Sequence, residues 1–140
     1  MTSAIEIDRS QASLVVVRFL RGPTDDEFRQ YLTDYVQVLE AEPRFGAVFA
    51  AAPAMPMTPP RQVRLQARFM KDYREQIERR VVGIAFSLPI PLMRGVLRAV
   101  LMLQPIPCPH AVVGTEAEGV AWVKARLWTD HLRRMKGAGP

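Results

Sequence analysis

Apolar residues along the chain follow two spacings, one typical of strands and one typical of helices. The strand pattern is either a short alternation or a short continuous apolar run bounded by turn residues. It occurs in five segments: Ala4–Asp8, Ser13–Leu20, Gly46–Ala52, Val81–Phe86 and Ala111–Gly114. The first two are predicted to form a hairpin with its turn at Asp8–Gln11. The run Val81–Phe86 suits a strand that is buried on both faces.

The helical spacing occurs in four longer segments, and their first residues support the assignment. Thr24 with Glu27, and Thr115 with Glu118, have the spacing of a capping box. Proline suits the first helical turn because its fixed φ and missing N–H cost nothing there. The predicted helices run from Thr24 to before Pro43, from Pro59 or Pro60 to about Arg79, from Pro91 to about Leu103, and from Thr115 to about Met135.

The order of these elements is ββαβαβαβα, which predicts an α/β fold. Strands that alternate with helices require right-handed crossovers, so we expect a mostly parallel five-stranded sheet with an antiparallel edge strand. Residues 1–136 are predicted to form a single domain, and residues 137–140 a frayed tail.

The helix from Pro91 to Leu103 is apolar on almost every side. Only Arg94 and Arg98, one turn apart, interrupt it. Such a helix is either buried deeply or offers an apolar surface to a partner or to lipid. We expect deep burial. Because a cation near a helix N-terminus is disfavoured by the helix dipole, Arg94 is expected to have a compensating contact, such as a carboxylate from the Thr24–Glu27 turn or an anionic group of a ligand or partner.

The last helix is expected to bury one face, and one tryptophan lies off that face. The residues predicted to point inward are Val120, Val123, Leu127, Trp128 and Leu132. Trp122 is expected to cover the sheet edge with Arg126 stacked on it.

Composition and charge narrow the classes of protein only slightly. The chain has 140 residues, a net charge of +5 and a single cysteine, Cys108, which excludes an internal disulfide and suits a cytoplasmic protein. Neither a signal-peptide pattern nor a membrane-spanning segment is apparent. The stripe formed by Arg61, Arg64, Arg68 and Lys71 lacks interleaved aromatic residues, so it predicts a solvated helix face and no nucleic-acid site.

The element order resembles the STAS domain, the fold of anti-sigma-factor antagonists. Four stretches resemble a group of uncharacterised STAS-like proteins from myxobacteria and their relatives: Thr24–Phe28, Gly83–Phe86, Leu92–Leu97 and Leu103–His110. This resemblance implies the SpoIIAA-like fold and a role in regulation or protein interaction.

One stretch departs from the STAS pattern. Antagonist STAS domains carry an Asp-Ser pair and a glycine at the end of the middle strand, where a kinase phosphorylates the serine. The matching residues here are Ala50, Ala51, Ala52 and Pro53, and Thr58 is the sole hydroxyl of the loop that follows. The resemblance therefore implies a non-enzymatic module that lacks the serine switch.

Several polar residues are expected to meet at the carboxyl ends of the parallel strands, where ligands of such sheets usually bind. They are Arg21, Thr24, Thr58, Ser87, Arg94 and Thr115, with Arg98 one turn further along its helix. Because helix N-termini also point to this edge, an anion is the expected ligand. The alternative is that Thr24, Thr58 and Thr115 only cap helices.

Two functions follow from these observations. The first is a protein-interaction module that binds a protein partner or a second copy of itself through the helix Pro91–Leu103. The second is a carrier of a small apolar or anionic ligand, such as a lipid, held by that helix and the carboxyl edge. No cofactor or metal is expected. Catalysis by a thiolate–imidazole pair, Cys108 with His110, is a third hypothesis.

Overall fold

The computed structural model describes residues 3–53 and 55–137. Within them lie five strands: β1 (Ile5–Gln11), β2 (Leu14–Phe19), β3 (Phe45–Ala51), β4 (Val81–Ser87) and β5 (His110–Val113). The same residues form five helices: α1 (Asp25–Ala41), α2 (Pro60–Asp72), α3 (Arg74–Arg80), α4 (Pro91–Leu103) and α5 (Glu116–Gly137).

The strands form one sheet in the order β1-β2-β3-β4-β5. The β1–β2 pair is antiparallel, and the three other pairs are parallel. The predicted α/β fold, with a mostly parallel five-stranded sheet and an antiparallel edge strand, is confirmed. Because neighbouring parallel strands follow each other in the chain, each connecting helix crosses to the next strand only, and the carboxyl ends of β2 to β5 share one edge.

The hairpin turn lies further along the chain than predicted. Strand β1 continues to Gln11, which pairs with Leu14, so the turn falls at Ala12 and Ser13 and not at Asp8–Gln11. Ser13 has a φ of 63°, a left-handed conformation that lets so short a turn close. The register shifts between Asp8 and Gln11, and this irregularity accommodates the polar residues that had suggested a turn.

The larger core cluster lies between one face of the sheet and helices α1, α2 and α3. Tyr35 is at its centre, with its ring centroid 6.3 Å from that of Phe45 and 5.9 Å from that of Phe69. The buried residues of α1 are Phe28, Tyr31, Tyr35, Val38 and Leu39. Their spacing is the one that predicted the helix.

The predicted helix from Pro60 to Arg79 is divided in two at Tyr73. Tyr73 has φ −109° and ψ 18°, and its N–H donates to the carbonyl of Phe69 at 3.0 Å. The turn brings the Tyr73 ring to 4.9 Å from the Phe69 ring, and Ile77 of α3 is buried in the same cluster. Burying both segments against one core is the physical reason for the division. Val63 of α2 lies away from this core and is half exposed.

The opposite face of the sheet is covered by α5. Val123 is fully buried there among Leu14, Val16, Val48 and Ala85. The predictions for Trp128 and Leu132 are wrong, because these side chains are 62% and 41% exposed. A helix of 22 residues is about 33 Å long, whereas a strand of 7 residues spans about 23 Å, so the last turns of α5 extend past the sheet.

The predicted tail falls mainly outside the described residues. Gly137 is the last residue of α5, and residues 138–140 are not described.

Candidate functional site

The most unusual surface of the molecule is the outer face of α4, made of Leu92, Val96, Val100, Met102 and Leu103. Leu92 is 77% exposed, and Met102 and Leu103 are each 84% exposed. Ile90, just before the helix, is also exposed, and Leu101 is the buried residue of the helix. The prediction of deep burial is therefore wrong. The reason is topological, because α4 lies mainly against β5, a four-residue strand at the edge of the sheet.

Both arginines of α4 are turned away from this outer face. Arg94 Nη1 donates to the carbonyl oxygen of Leu88 at 2.7 Å, and Arg98 Nη2 donates to that of Val112 at 3.3 Å. The carbonyl of Val113 accepts from the N–H of Leu88, directly after β4, so that of Val112 points to the open side of the strand. Arg98 thus covers part of an edge that another strand could otherwise join.

The compensating contact of Arg94 is a backbone carbonyl. The expected carboxylate of the Thr24–Glu27 turn is not its partner, because Glu27 binds Arg21 through two hydrogen bonds, of 3.1 and 2.9 Å. These bonds, together with the Thr24 N–H, lower the pKa of Glu27 to about 2. Leu88 is the first residue after β4, so Arg94 ties its own helix to the end of the preceding strand.

Thr24 and Thr115 serve as helix caps. Thr24 Oγ1 accepts from the N–H of Glu27 at 3.1 Å, and the Glu27 carboxylate accepts from the N–H of Thr24, which completes the capping box. Thr115 Oγ1 accepts from the N–H of Glu118 at 3.1 Å and donates to its carboxylate. Both hydroxyls are thus engaged within the chain.

The remaining predicted site residues, Ser87 and Thr58, differ in burial. Ser87 is 4% exposed, between Ala50 of β3 and Val113 of β5. Thr58 is exposed and does not cap α2, whose N-cap residue is Pro59. The capping alternative is therefore wrong for Thr58. The carboxyl edge holds these residues, but it presents Arg21, Arg94 and the two capping threonines already bonded to other groups of the chain.

Two polar clusters were not predicted from the sequence. Arg18 of β2 donates to Glu116 at 2.8 and 3.1 Å, to Glu6 at 3.0 Å and to Asp8 at 3.1 Å, so it joins β1, β2 and α5. Gln62 is 1% exposed and donates to the Pro23 carbonyl and to Asp25. The sequence does carry a signal for the Arg18 cluster, because a charged residue lies inside an apolar strand. Gln62 has no comparable signal.

Trp122 and Arg126 interact as predicted. The guanidinium carbon of Arg126 is 5.9 Å from the Trp122 ring centroid, a cation–π distance. The ring packs on Gly83 of β4, where an added Cβ would lie 2.9 Å from it. Trp122 therefore covers a strand one position in from the β5 edge.

Cys108 and His110 do not face each other through their reactive atoms. The contact between them joins His110 Nδ1 to the backbone oxygen of Cys108, at 3.4 Å. Burial raises the pKa of the Cys108 thiol to about 12, so the thiol is protonated at neutral pH. Cys108 packs against the larger core cluster. The catalytic possibility remains a prediction.

The described part of the chain contains neither a metal-binding cluster nor a membrane-spanning helix. Within residues 3–53 and 55–137, no three His, Cys, Asp or Glu side chains form a group that could hold a metal ion. No helix in the same residues is long and apolar enough to cross a membrane.

Comparison with known proteins supports the fold. No protein-family model and no curated protein sequence matches the chain. Among solved structures, it is similar to the crystal structure of an uncharacterised protein of the DUF3478 family, with a SpoIIAA-like fold, from Shewanella loihica PV-4. The TM-score is 0.65 at 13% identity, over 86% of this chain and 92% of that one. The grouping with myxobacterial proteins remains a prediction. The chain therefore has the STAS-like, SpoIIAA-like fold that its element order predicted.

Proposed function

We propose that this protein is a non-enzymatic STAS-like regulatory module that binds a protein through the outer face of α4. One observation carries the proposal: five large apolar side chains are exposed together on one helix. Both charged residues of that helix instead point away from this face and donate to the backbone carbonyls of Leu88 and Val112. Single exposed apolar residues need no explanation, but a contiguous apolar patch of this kind is typical of a protein interface.

Gly95 supports the same conclusion. At 100° per residue it falls on the outer face of α4, between Leu92 and Val96 on one side and Met102 on the other. A Cβ added there would meet no atom within 4 Å. Glycine inside a helix costs roughly 0.5–1 kcal/mol relative to alanine, and nothing within the described chain compensates for it. The close approach of a partner's backbone would do so.

The absence of a hydroxyl at the end of β3 supports a module without the serine switch. β3 ends at Ala51, and Ala50 and Ala52 flank that residue. The segment carries apolar methyl groups where an antagonist STAS domain offers its phosphorylated serine. Regulation would then depend on whether the α4 partner is bound and not on phosphorylation at this loop.

Sedimentation velocity over a wide range of protein concentrations tests the proposal. A charge on the outer face, Val96→Glu, is expected to abolish concentration-dependent association. Val63→Glu is the matched control, because Val63 of α2 is exposed to a similar extent, 50% against 43%, but lies off that face. If the wild-type chain stays monomeric, a photo-crosslinker placed at position 96 and, in parallel, at position 63 tests for a different protein partner in cells. A monomer with no crosslink specific to position 96 contradicts the proposal.

The second candidate function, a carrier of a lipid or another small apolar or anionic ligand, draws on the same exposed side chains. The two cavities described do not involve α4: one, of about 140 Å³, lies at the amino end of β4, and the other, of about 390 Å³, lies between β1 and α1. A ligand on α4 would therefore use neither of these cavities. Native mass spectrometry of protein taken directly from cells tests this function, because a carrier is expected to retain a small molecule of defined mass.

A further inference from the structure

The smaller cavity, about 140 Å³, opens at the amino end of β4, on the side of the sheet away from the carboxyl edge. Its walls come from the C-terminal half of α5, the end of α3 and the segment Pro107–Pro109 that leads into β5. Five charged side chains line it: Arg44, Glu78, Arg126, Asp130 and Arg133. The function of this cavity depends on which of these charges are already neutralised.

Both acidic groups of the cavity are matched by arginines. Asp130 binds Arg44 through both carboxylate oxygens and also forms an ion pair with Arg134 at 3.1 Å. Arg44 donates in addition to the backbone carbonyl of Arg79. Glu78 pairs with Arg74 of its own helix at 3.2 Å. The two carboxylates of the lining therefore have guanidinium partners without Arg126 or Arg133.

Arg126 and Arg133 are left in excess. The ion pairs and side-chain hydrogen bonds found across residues 3–53 and 55–137 include none to either guanidinium, and the Arg126 Nε–H is buried without an acceptor. Since they are seven residues apart, two helical turns, both lie on the same face of α5, with Thr129 and Asp130 between them. A buried donor of a charged group without an acceptor costs free energy, and an oxyanion would supply the acceptor.

The position of Arg126 is fixed in advance of any ligand. Its guanidinium is held over the Trp122 ring at 5.9 Å, and Trp122 in turn packs on Gly83, where a side chain would not fit. A side chain that is held in place loses less conformational entropy when it binds. Cys108, which also lines the cavity, adds no negative charge because its thiol remains protonated.

We propose that this cavity binds a small oxyanion, a phosphate or carboxylate group held between Arg126 and Arg133. Guanidinium groups present paired N–H donors that match the oxygens of both anions. The cavity is smaller than the roughly 300–1,000 Å³ of pockets for drug-sized ligands, so it admits a single small group, free or at the end of a larger molecule. The site is separate from the outer face of α4.

The test is isothermal titration calorimetry of the full chain with sodium phosphate and, in a second arm, sodium acetate, each at ionic strength held constant with sodium chloride. Saturable binding of at least one anion is expected, and the arm that binds identifies the anion. Arg126→Gln and Arg133→Gln are each expected to weaken binding at least tenfold, equivalent to about 1.4 kcal/mol. Arg29→Gln, at an exposed position of α1, is the control and is expected to bind as the wild type does.

A second readout keeps the test decisive. The Nε–H resonance of Arg126 in nitrogen-correlated NMR spectra is expected to shift on titration with the anion that binds. If Arg126→Gln does not fold, Arg133→Gln decides the outcome, because Arg133 is exposed and its replacement leaves the core intact. The absence of saturable binding of both anions up to tens of millimolar overturns the proposal. So does equal affinity in the Arg133→Gln variant and the wild type.

Discussion

Helices α4 and α5 both carry apolar residues at helical spacing, yet the sheet buries them to very different extents. α5 lies across the face formed by β3 and β4 and buries Gly119 and Val123 completely or almost so. α4 lies beside the short edge strand β5 and buries Leu101 alone of its apolar residues. The comparison shows that an apolar helix is buried only as far as the topology provides sheet for it to cover.

The glycines of the two helices differ in the same way. A Cβ on Gly119 would lie 3.0 Å from Val48 Cγ1 and 3.4 Å from the Ala85 Cβ, so glycine there permits the close approach of α5 to the sheet. A Cβ on Gly95 would meet nothing. Gly119 is explained by the fold of the chain itself, whereas Gly95 is explained by the proposed partner.

The largest expected effect separates these two glycines directly. Gly119→Leu is expected to lower the free energy of unfolding by about 1–3 kcal/mol, because the new side chain overpacks a filled interface. Gly95→Leu is expected to leave it unchanged or raise it by up to about 1 kcal/mol, because leucine favours helix and enters open space. Urea unfolding followed by circular dichroism measures both.

Two results would break the comparison. Destabilisation by Gly95→Leu as large as by Gly119→Leu would show that α4 is packed within the monomer. A Gly95→Leu variant that is stable and still associates like the wild type would show that Gly95 does not admit a partner's backbone.

A smaller expected effect is the pH dependence of stability that arises from the buried thiol of Cys108, close to α4. Cys108, in the segment between α4 and β5, keeps its proton in the folded chain up to a pH of about 12, whereas the unfolded chain releases it near pH 9. Because the folded state then binds the additional proton, the free energy of unfolding falls as pH rises through this interval, by about 1 kcal/mol between pH 9 and pH 10.

Cys108→Ala is the matched variant for this pH dependence. Its unfolding free energy is expected to fall less steeply between pH 9 and 10 than that of the wild type, in urea titrations at each pH. Burial also raises the pKa values of Tyr31 and Tyr35, and a charged Cys108 would raise that of Tyr35 further. Because the folded thiol is neutral between pH 9 and 10, the tyrosines contribute nearly the same slope in both proteins. Identical slopes would show that the thiol is exposed to solvent.

The sheet could be predicted from the sequence because its signals are local. Apolar runs of strand length, bounded by Gly22, Pro43 and Pro89, fixed the five strands and their alternation with helices. The helix caps at Thr24 and Thr115 are equally local, since each lies within four residues, although only Thr24 forms the complete capping box that was predicted for both. Such features need no knowledge of which element lies beside which.

The exposure of α4 and the polar clusters could not be predicted, because they depend on contacts distant in the chain. Periodicity shows that a helix has an apolar face but not how much sheet lies beneath it, so both α4 and Trp128 were expected to be buried. Arg18 binds Glu116, 98 residues away, and Arg44 binds Asp130, 86 residues away. Of the predicted edge residues, Arg94 proved to bind Leu88, a contact that the helix dipole alone did not specify.

The most direct test of the central claim compares two methionines by brief oxidation with hydrogen peroxide and mass spectrometry. Met102, on the outer face of α4, is 84% exposed, and Met57, in the loop before α2, is 69% exposed. In dilute purified protein we expect both to be oxidised at similar rates. In intact cells, where a partner is available, we expect Met102 to be protected and Met57 to react as before. Equal oxidation of the two residues in cells, or slow oxidation of Met102 in the dilute protein, would contradict the account.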